Sequence, residues 1–116
     1  MRGFEDVTLE WRGEEFTVPA SDQIMLITKI EDALTFDVPG ANVEVVLTRQ
    51  GGPTDTRLAR AYGAALRHAG AKVSDEEVYL SVKKGRIEPG ADHAVRVQEY
   101  IWGLLCIVNP PGAERI

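Results

Sequence analysis

The sequence predicts an α+β domain in which an N-terminal β-hairpin packs on a mainly helical body of four to five helices. Apolar residues alternate with polar ones near the start of the chain, and they recur at three- and four-residue steps through most of the remainder. A length of 116 residues suits one domain with one core. We therefore expect a single domain, with an acidic hairpin over 1–20, a helical body over 21–109 and a loose tail over 110–116.

The hairpin is predicted from apolar residues at alternate positions on both sides of a glycine: Val7, Leu9, Trp11, Phe16 and Val18. A two-residue turn at Arg12 and Gly13 places Leu9 opposite Phe16 and gathers all the apolar side chains on one face. A two-stranded hairpin is only marginally stable alone, so this face must pack on helices or on a sheet of another chain.

The first helix is expected from about Asp22 to Thr35, with Ser21 as its N-cap and an end no later than Pro39-Gly40. Its apolar stripe is predicted to contain Ile24, Ile27, Ile30 or Glu31, and Leu34.

Residues 41–50 fit two structures, because Val43, Val45 and Leu47 alternate as in a strand while Val43, Val46 and Leu47 match a helical turn. The flanking glycine and proline residues and a possible cap at Asn42 favour a short helix.

The central helix is expected to begin at Pro53-Thr54-Asp55 and to stop at Gly70. Its core face is predicted to hold Leu58, Ala61, Tyr62, Ala65, Leu66 and Ala69.

A capping box marks the start of the next helix, because Ser74 and Glu77 have the spacing at which each side chain bonds the other's amide. Val73 and Val78 are expected to pack across this start, and the helix is predicted to end near Lys83, Lys84 and Gly85. The last helix is expected from Asp92 to just before Pro110-Pro111. Its core stripe is predicted to contain Ala94, Val97, Ile101, Leu104 and Val108, widened by Val95, Trp102 and Leu105.

No pattern in the sequence is typical of an enzyme or a cofactor site. The two histidines, His68 and His93, are 25 residues apart with no Cys or His at ligand spacing, and Cys106 lies in an apolar run. No glycine-rich loop has the spacing that holds phosphate. We therefore expect no catalytic residues, no metal and no cofactor.

The charge distribution argues against nucleic acid as a partner. The net charge is −5, and the first 40 residues alone carry −6. The helices on either side of Gly70 have the outline of a helix-turn-helix, with Arg57, Arg60 and Arg67 on the outer face of the first. The second would present Asp75, Glu76 and Glu77 to the polyanion, which disfavours that interpretation. The acidic start is interpreted as a solvated face, the alternative being a surface that selects a basic partner.

The chain has no stretch of about 20 mainly apolar residues that would span a membrane, and its acidic start leads us to expect no export signal. The single cysteine fits a reducing compartment. We expect a location in the cytoplasm.

Two blocks carry a family resemblance: EDVTLEWRGEEFTVPA at 5–20 and LARAYGAALRHAGAKVSDEEVY at 58–79, together roughly a third of the chain. They resemble the small tail assembly chaperones of long-tailed phages and of phage-derived gene transfer agents. The resemblance implies a non-enzymatic protein of the bacterial host cytoplasm. Such a protein binds the aggregation-prone tape measure protein and hands it to tail tube subunits.

A chaperone of this kind needs apolar surface beyond its own core, covered by self-association until the client binds. We therefore expect a homo-oligomer, with a candidate protein-binding surface of Trp11, Phe16, Ile101, Trp102, Leu105 and Ile107. The alternative for these residues is an ordinary core. The alternative function is a structural or adaptor protein-binding module of a phage-like particle.

Overall fold

The computed structural model describes residues 5–35, 42–48, 53–87 and 93–109. They form the predicted α+β fold, a two-stranded antiparallel hairpin followed by five helices. The strands are β1 (Val7–Trp11) and β2 (Glu14–Val18), and a 3₁₀ turn at Ala20–Asp22 leads into the helices. These are α1 (Gln23–Thr35), α2 (Val43–Thr48), α3 (Asp55–His68), α4 (Asp75–Ile87) and α5 (His93–Val108). The predicted breaks at 39–40, 51–52, 89–90 and 110–111 and the predicted tail lie outside the described residues.

The hairpin has the predicted register. Leu9 pairs with Phe16 across a two-residue turn in which Arg12 and Gly13 have φ angles of 51° and 82°. Two successive left-handed residues are what a type I′ turn requires, and its twist matches that of the strands. On the apolar face Leu9, Trp11 and Val18 are buried and Val7 and Phe16 are half-buried, whereas the residues of the other face, from Thr8 to Thr17, are exposed. The apolar face therefore packs on the helical body of the same chain.

The start of α1 differs from the prediction. Ser21 is not an N-cap, because the chain leaves β2 through a 3₁₀ turn in which the Asp22 amide donates to the Pro19 carbonyl at 3.0 Å. The buried face contains Gln23, Leu26, Ile30 and Leu34. Ile24, predicted to lie in the stripe, is 61% exposed. The helix is rotated because the Gln23 side chain is fully buried and donates to the Glu5 carbonyl.

Val43–Thr48, in the segment whose spacing fits both a strand and a helix, is helical, as its flanking residues favoured. In α2 the Asn42 carboxamide oxygen accepts a hydrogen bond from the Val45 amide at 3.2 Å. Val43, Val46 and Leu47 are buried while Val45 is exposed, which is the helical spacing of the two alternatives.

Helix α3 lies at the centre and contacts α1, α4, α5 and β2. The Thr54 hydroxyl accepts from the Arg57 amide at 3.3 Å, and the predicted face from Leu58 to Leu66 is buried. At the other end Gly70 has a φ of 104°, and the Ala71 amide donates to the Leu66 carbonyl at 2.9 Å. This is the Schellman end that the glycine predicted.

The capping box of α4 is present. The Ser74 hydroxyl accepts from the Glu77 amide at 3.1 Å, and a Glu77 carboxylate oxygen accepts from the Ser74 amide at 3.2 Å. The predicted end near 83–85 is wrong, since α4 continues to Ile87. Lys83 does not mark a helix end because its ammonium pairs with Asp55 of α3 at 2.8 Å.

Helix α5 is rotated relative to the prediction. Its buried residues are Tyr100, Gly103, Leu104, Leu105 and Ile107, whereas Val97, Ile101 and Val108 are half-buried. Val95 and Trp102, predicted to widen the stripe, face solvent instead. The rotation turns Gly103 toward the hairpin, where a Cβ would lie 2.9 Å from Leu9 Cδ2, so the buried Leu9 side chain would have to shift to make room.

Replacing Gly103 by alanine should lower stability, although alanine is the better helix former. The added methyl group would overpack the core by about 1–3 kcal/mol, more than the roughly 1 kcal/mol gained in helix propensity. Urea unfolding of Gly103→Ala should therefore give a lower free energy of unfolding than wild type. A second variant, Leu9→Val, removes the clashing carbon, so the alanine should cost less in that background. A Gly103→Ala protein more stable than wild type would contradict this packing.

The two serines at helix starts should respond differently to alanine. Ser74→Ala removes a cap and should cost about 1 kcal/mol. Ser21→Ala is the matched control, because Ser21 is exposed and makes no cap hydrogen bond, and its unfolding curve should match that of wild type. Equal losses in the two variants would rule out the capping box as the source of the effect.

Candidate functional site

The six residues predicted as a protein-binding surface do not lie together on the surface. Leu105 and Ile107 are only 3% and 0% exposed, so in the folded chain they are core residues. Trp11 is also buried, with the Arg12 guanidinium 5.0 Å from its ring centroid. Phe16 and Ile101 are half-buried, and Trp102 alone is well exposed, at 45%.

The structure exposes several apolar side chains that the periodicity either assigned to the core or did not single out. The large exposed ones are Ile24, Met25, Val45, Leu80, Val95 and Trp102. Val95 and Trp102 are seven residues apart on α5, which places them on one face two turns apart. The surplus of apolar residues on this helix, too many for one buried stripe, had placed Trp102 among the surface candidates, and the same signal could have found Val95.

An open depression lies on this outer face of α5, lined by Val95, Gln98, Glu99 and Trp102, with a volume of about 460 Å³. A second depression of about 260 Å³ adjoins it between α5 and β1, where Glu99 and Trp102 meet Glu10 and Thr8. We call these two depressions together the α5 groove. Its walls are an exposed indole, an aliphatic side chain and two carboxylates.

Tyr62 lines the second depression of the groove and stacks on Tyr100. The ring centroids of Tyr62 and Tyr100 are 4.1 Å apart. The Tyr62 hydroxyl donates to the Glu10 carbonyl at 2.9 Å, and the Tyr100 hydroxyl lies 3.0 Å from Ser81 Oγ. Arg96 donates to the Ser81 carbonyl. These bonds tie β1, α3, α4 and α5 together beside the groove.

Burial raises the pKa of both tyrosines above the usual 10.0, and at Tyr62 the neighbouring Tyr100 adds to the effect. Both hydroxyls are therefore protonated at neutral pH. The pair is a fixed hydrogen-bonding element, because hydroxyl groups with such pKa values are not ionised near pH 7.

The remaining candidate chemical groups are placed apart from the groove. His68 Nε2 lies 3.3 Å from an Asp22 carboxylate oxygen, which joins the end of α3 to the 3₁₀ turn. The side chain of His93 lies outside the described part of the chain. Burial raises the pKa of the half-buried Cys106, which favours the thiol over the nucleophilic thiolate. Among the described residues, no three His, Cys, Asp or Glu side chains are grouped to hold a metal.

The arginines of α3 are largely engaged within the chain. Arg67 pairs with Asp75 at 2.8 Å and donates to the Val73 carbonyl at 3.2 Å, and Arg57 reaches the Leu34 carbonyl at 3.5 Å. Arg60 is exposed. Two of the three side chains that suggested a basic face therefore hold the α3–α4 and α1–α3 contacts.

None of the helices in the described ranges has the length and hydropathy that a membrane crossing requires. No protein-family model matches the chain, and comparisons with curated proteins and with solved structures give no significant match. The α5 groove is thus interpreted from its own geometry.

The buried tyrosines should make stability fall at alkaline pH. Their pKa values are higher in the folded chain than the ordinary 10.0, so above about pH 10 the unfolded chain loses these protons first. The protonated tyrosines make their full contribution to the free energy of unfolding below that pH. This contribution is lost as the pH rises toward the folded pKa values, with a slope of up to about 1.4 kcal/mol per pH unit for each tyrosine. Urea unfolding between about pH 9 and about pH 11 measures this slope.

Tyr62→Phe removes one titrating group and should flatten the pH dependence. At neutral pH it should cost about 1–2 kcal/mol, because the Glu10 carbonyl loses its donor. A variant with the wild-type slope would show that Tyr62 is not the source of the alkaline loss.

Proposed function

We propose that this protein is a non-enzymatic tail assembly chaperone of a phage, a prophage or a gene transfer agent. In this proposal it binds the tape measure protein in the bacterial host cytoplasm and helps recruit tail tube subunits. The observation that carries the proposal is the α5 groove, an apolar surface with an exposed tryptophan that the core of the chain does not need. No cofactor, metal or nucleic acid takes part.

The groove has the chemistry of a protein-binding surface. The core of α5 is already filled by Leu104 and Ile107, so the Trp102 and Val95 side chains are left exposed on a folded domain. Tryptophan is enriched among the residues that dominate binding energy, because it buries a large area with little loss of rotamer freedom. An apolar segment of a client that covers Trp102 would recover the free energy of that burial.

The tyrosine pair next to the groove supports this role. The Tyr62–Tyr100 stack and its hydrogen bonds hold the hairpin, α3 and α5 in one arrangement. A client therefore meets a preformed surface and loses less conformational entropy on binding.

The two sequence blocks with the family resemblance also meet at this place. Residues 5–20 form the hairpin, and residues 58–79 form most of α3 and the start of α4. Glu10 of the first block accepts the hydrogen bond of Tyr62 of the second.

An exposed apolar groove also favours self-association, and we propose a homo-oligomer in which the groove is covered until the client arrives. Client binding and self-association then compete for one surface, and the concentration of client decides between them.

Co-expression of the tagged chain with the tape measure candidate of the same gene cluster tests the function. We expect the client to co-purify and to move from the insoluble to the soluble fraction. Trp102→Ala should reduce the soluble client several-fold, on the order of a lost hot-spot residue. Val45→Ala is the control, since Val45 is more exposed than Trp102 but does not line the groove.

A client that stays insoluble with and without the chain, and does not co-purify, would contradict the chaperone function. Mass spectrometry of finished particles separates the remaining alternative, because a structural or adaptor module stays in the particle whereas a chaperone leaves it. Circular dichroism of each variant verifies that it is folded.

A further inference from the structure

The two edges of the hairpin have different surroundings. Because a two-residue turn joins the strands, the pair Leu9 and Phe16 exchanges main-chain hydrogen bonds, and the alternate residues point their N–H and C=O groups outward. On β1 the outward carbonyl of Glu10 accepts from Tyr62, and the strand lies against α5. The β1 edge is therefore occupied in part by the chain itself, at Glu10.

The β2 edge is open. The outward main-chain groups on this strand are those of Glu15 and Thr17, and within the described residues they have no hydrogen-bonding partner. Both residues are exposed, and Phe16 between them is half-buried at the border of the core. Two N–H donors, two carbonyl acceptors and the edge of an aromatic ring are thus available to another strand.

The charges on the hairpin determine which strand fits. Glu15 lies directly opposite Glu10 on the solvent face, an arrangement of like charges that destabilises a strand pair. Glu14 adds a third exposed carboxylate at the end of β2. Pairing β2 with β2 of a second copy would bring more carboxylates together, whereas a basic strand would neutralise those present.

We propose that the β2 edge binds an extended, basic segment of another protein, which adds to the hairpin as a third strand. The residue of that segment opposite Glu15 is a lysine or an arginine, and the residue opposite Phe16 is apolar, because side chains opposite each other lie on the same face of a sheet. This surface is distinct from the α5 groove, and its existence does not rest on the proposed function.

A peptide with alternating lysine and valine, Thr-Lys-Val-Lys-Val-Lys-Thr with blocked ends, is the probe. Titrated into the full ¹⁵N-labelled chain, it should shift the amide signals of Glu15 and Thr17 and slow their hydrogen exchange several-fold, since these amides become bonded. The same peptide with glutamate in place of lysine should bind at least about tenfold more weakly, and salt should weaken the lysine peptide.

Two variants test the geometry and the charge separately. Thr17→Pro removes an outward N–H and the exposed hydroxyl contact with Thr8 at 3.4 Å, but no main-chain hydrogen bond of the hairpin, so the hairpin should persist while peptide binding falls at least about tenfold. Thr17→Val is its matched control, because it keeps the N–H and should bind as wild type does. Glu15→Lys should reverse the preference in favour of the glutamate peptide, and it decides the matter if the proline variant proves unfolded.

Several results would overturn the proposal. These are absence of binding, equal binding of the two peptides, and shifts confined to the α5 groove around Trp102. Concentration-dependent shifts of Glu15 and Thr17 without peptide would show that a second copy occupies the edge instead.

Discussion

A two-stranded hairpin has too little buried surface to persist alone, and the way it is held on the helices determines much else in this fold. Tyr62 of α3 provides the main attachment, because its hydroxyl caps the Glu10 carbonyl while its ring stacks on Tyr100 of α5. Gly103 provides the space, since a side chain there would collide with Leu9. The hydrogen bond and the ring stack thus fix β1 to two helices, and the small size of Gly103 allows the close approach.

This attachment also orients α5. Once Tyr100 and Gly103 face α3 and the hairpin, a helix turn of 3.6 residues directs Val95 and Trp102 out of the core. The exposed apolar surface is therefore a consequence of how the core is packed. A helix with more apolar residues than one stripe must expose some of them, and a surface of this kind is what the proposed chaperone would use to hold a client.

The hairpin attachment has an asymmetric effect on its two strands. Contact with α5 occupies part of the β1 edge. The β2 edge is open, and Glu14 and Glu15 lie along it. Carboxylates on an open edge oppose pairing between identical copies, and they leave the edge available to a strand of opposite charge. The α5 groove and the β2 edge lie on opposite sides of β1, so the two surfaces could engage different partners.

The sequence by itself determined the features whose causes are local. The hairpin register follows from alternation and a two-residue turn, and the start of α4 follows from Ser74 and Glu77, because every interaction involved spans only a few residues. The helical state of 43–48 was favoured by its flanking residues for the same reason.

Only the tertiary structure decided how each helix is rotated about its axis. Ile24 was expected in the core but is exposed. Gln23 is buried instead, because its side-chain amide donates a hydrogen bond to the Glu5 carbonyl, which lies 18 residues earlier in the chain. On α5, Trp102 was expected to widen the buried stripe and is exposed, because Tyr100 meets a partner 38 positions earlier in the chain, Tyr62. Periodicity specifies that a helix has an apolar face, whereas the partners available across the fold select which of several overlapping faces is buried. The candidate site consists of the residues left over from that selection: the sequence had named Trp102 among its surface candidates, whereas Val95 and the other lining residues were recognised only once the chain had folded.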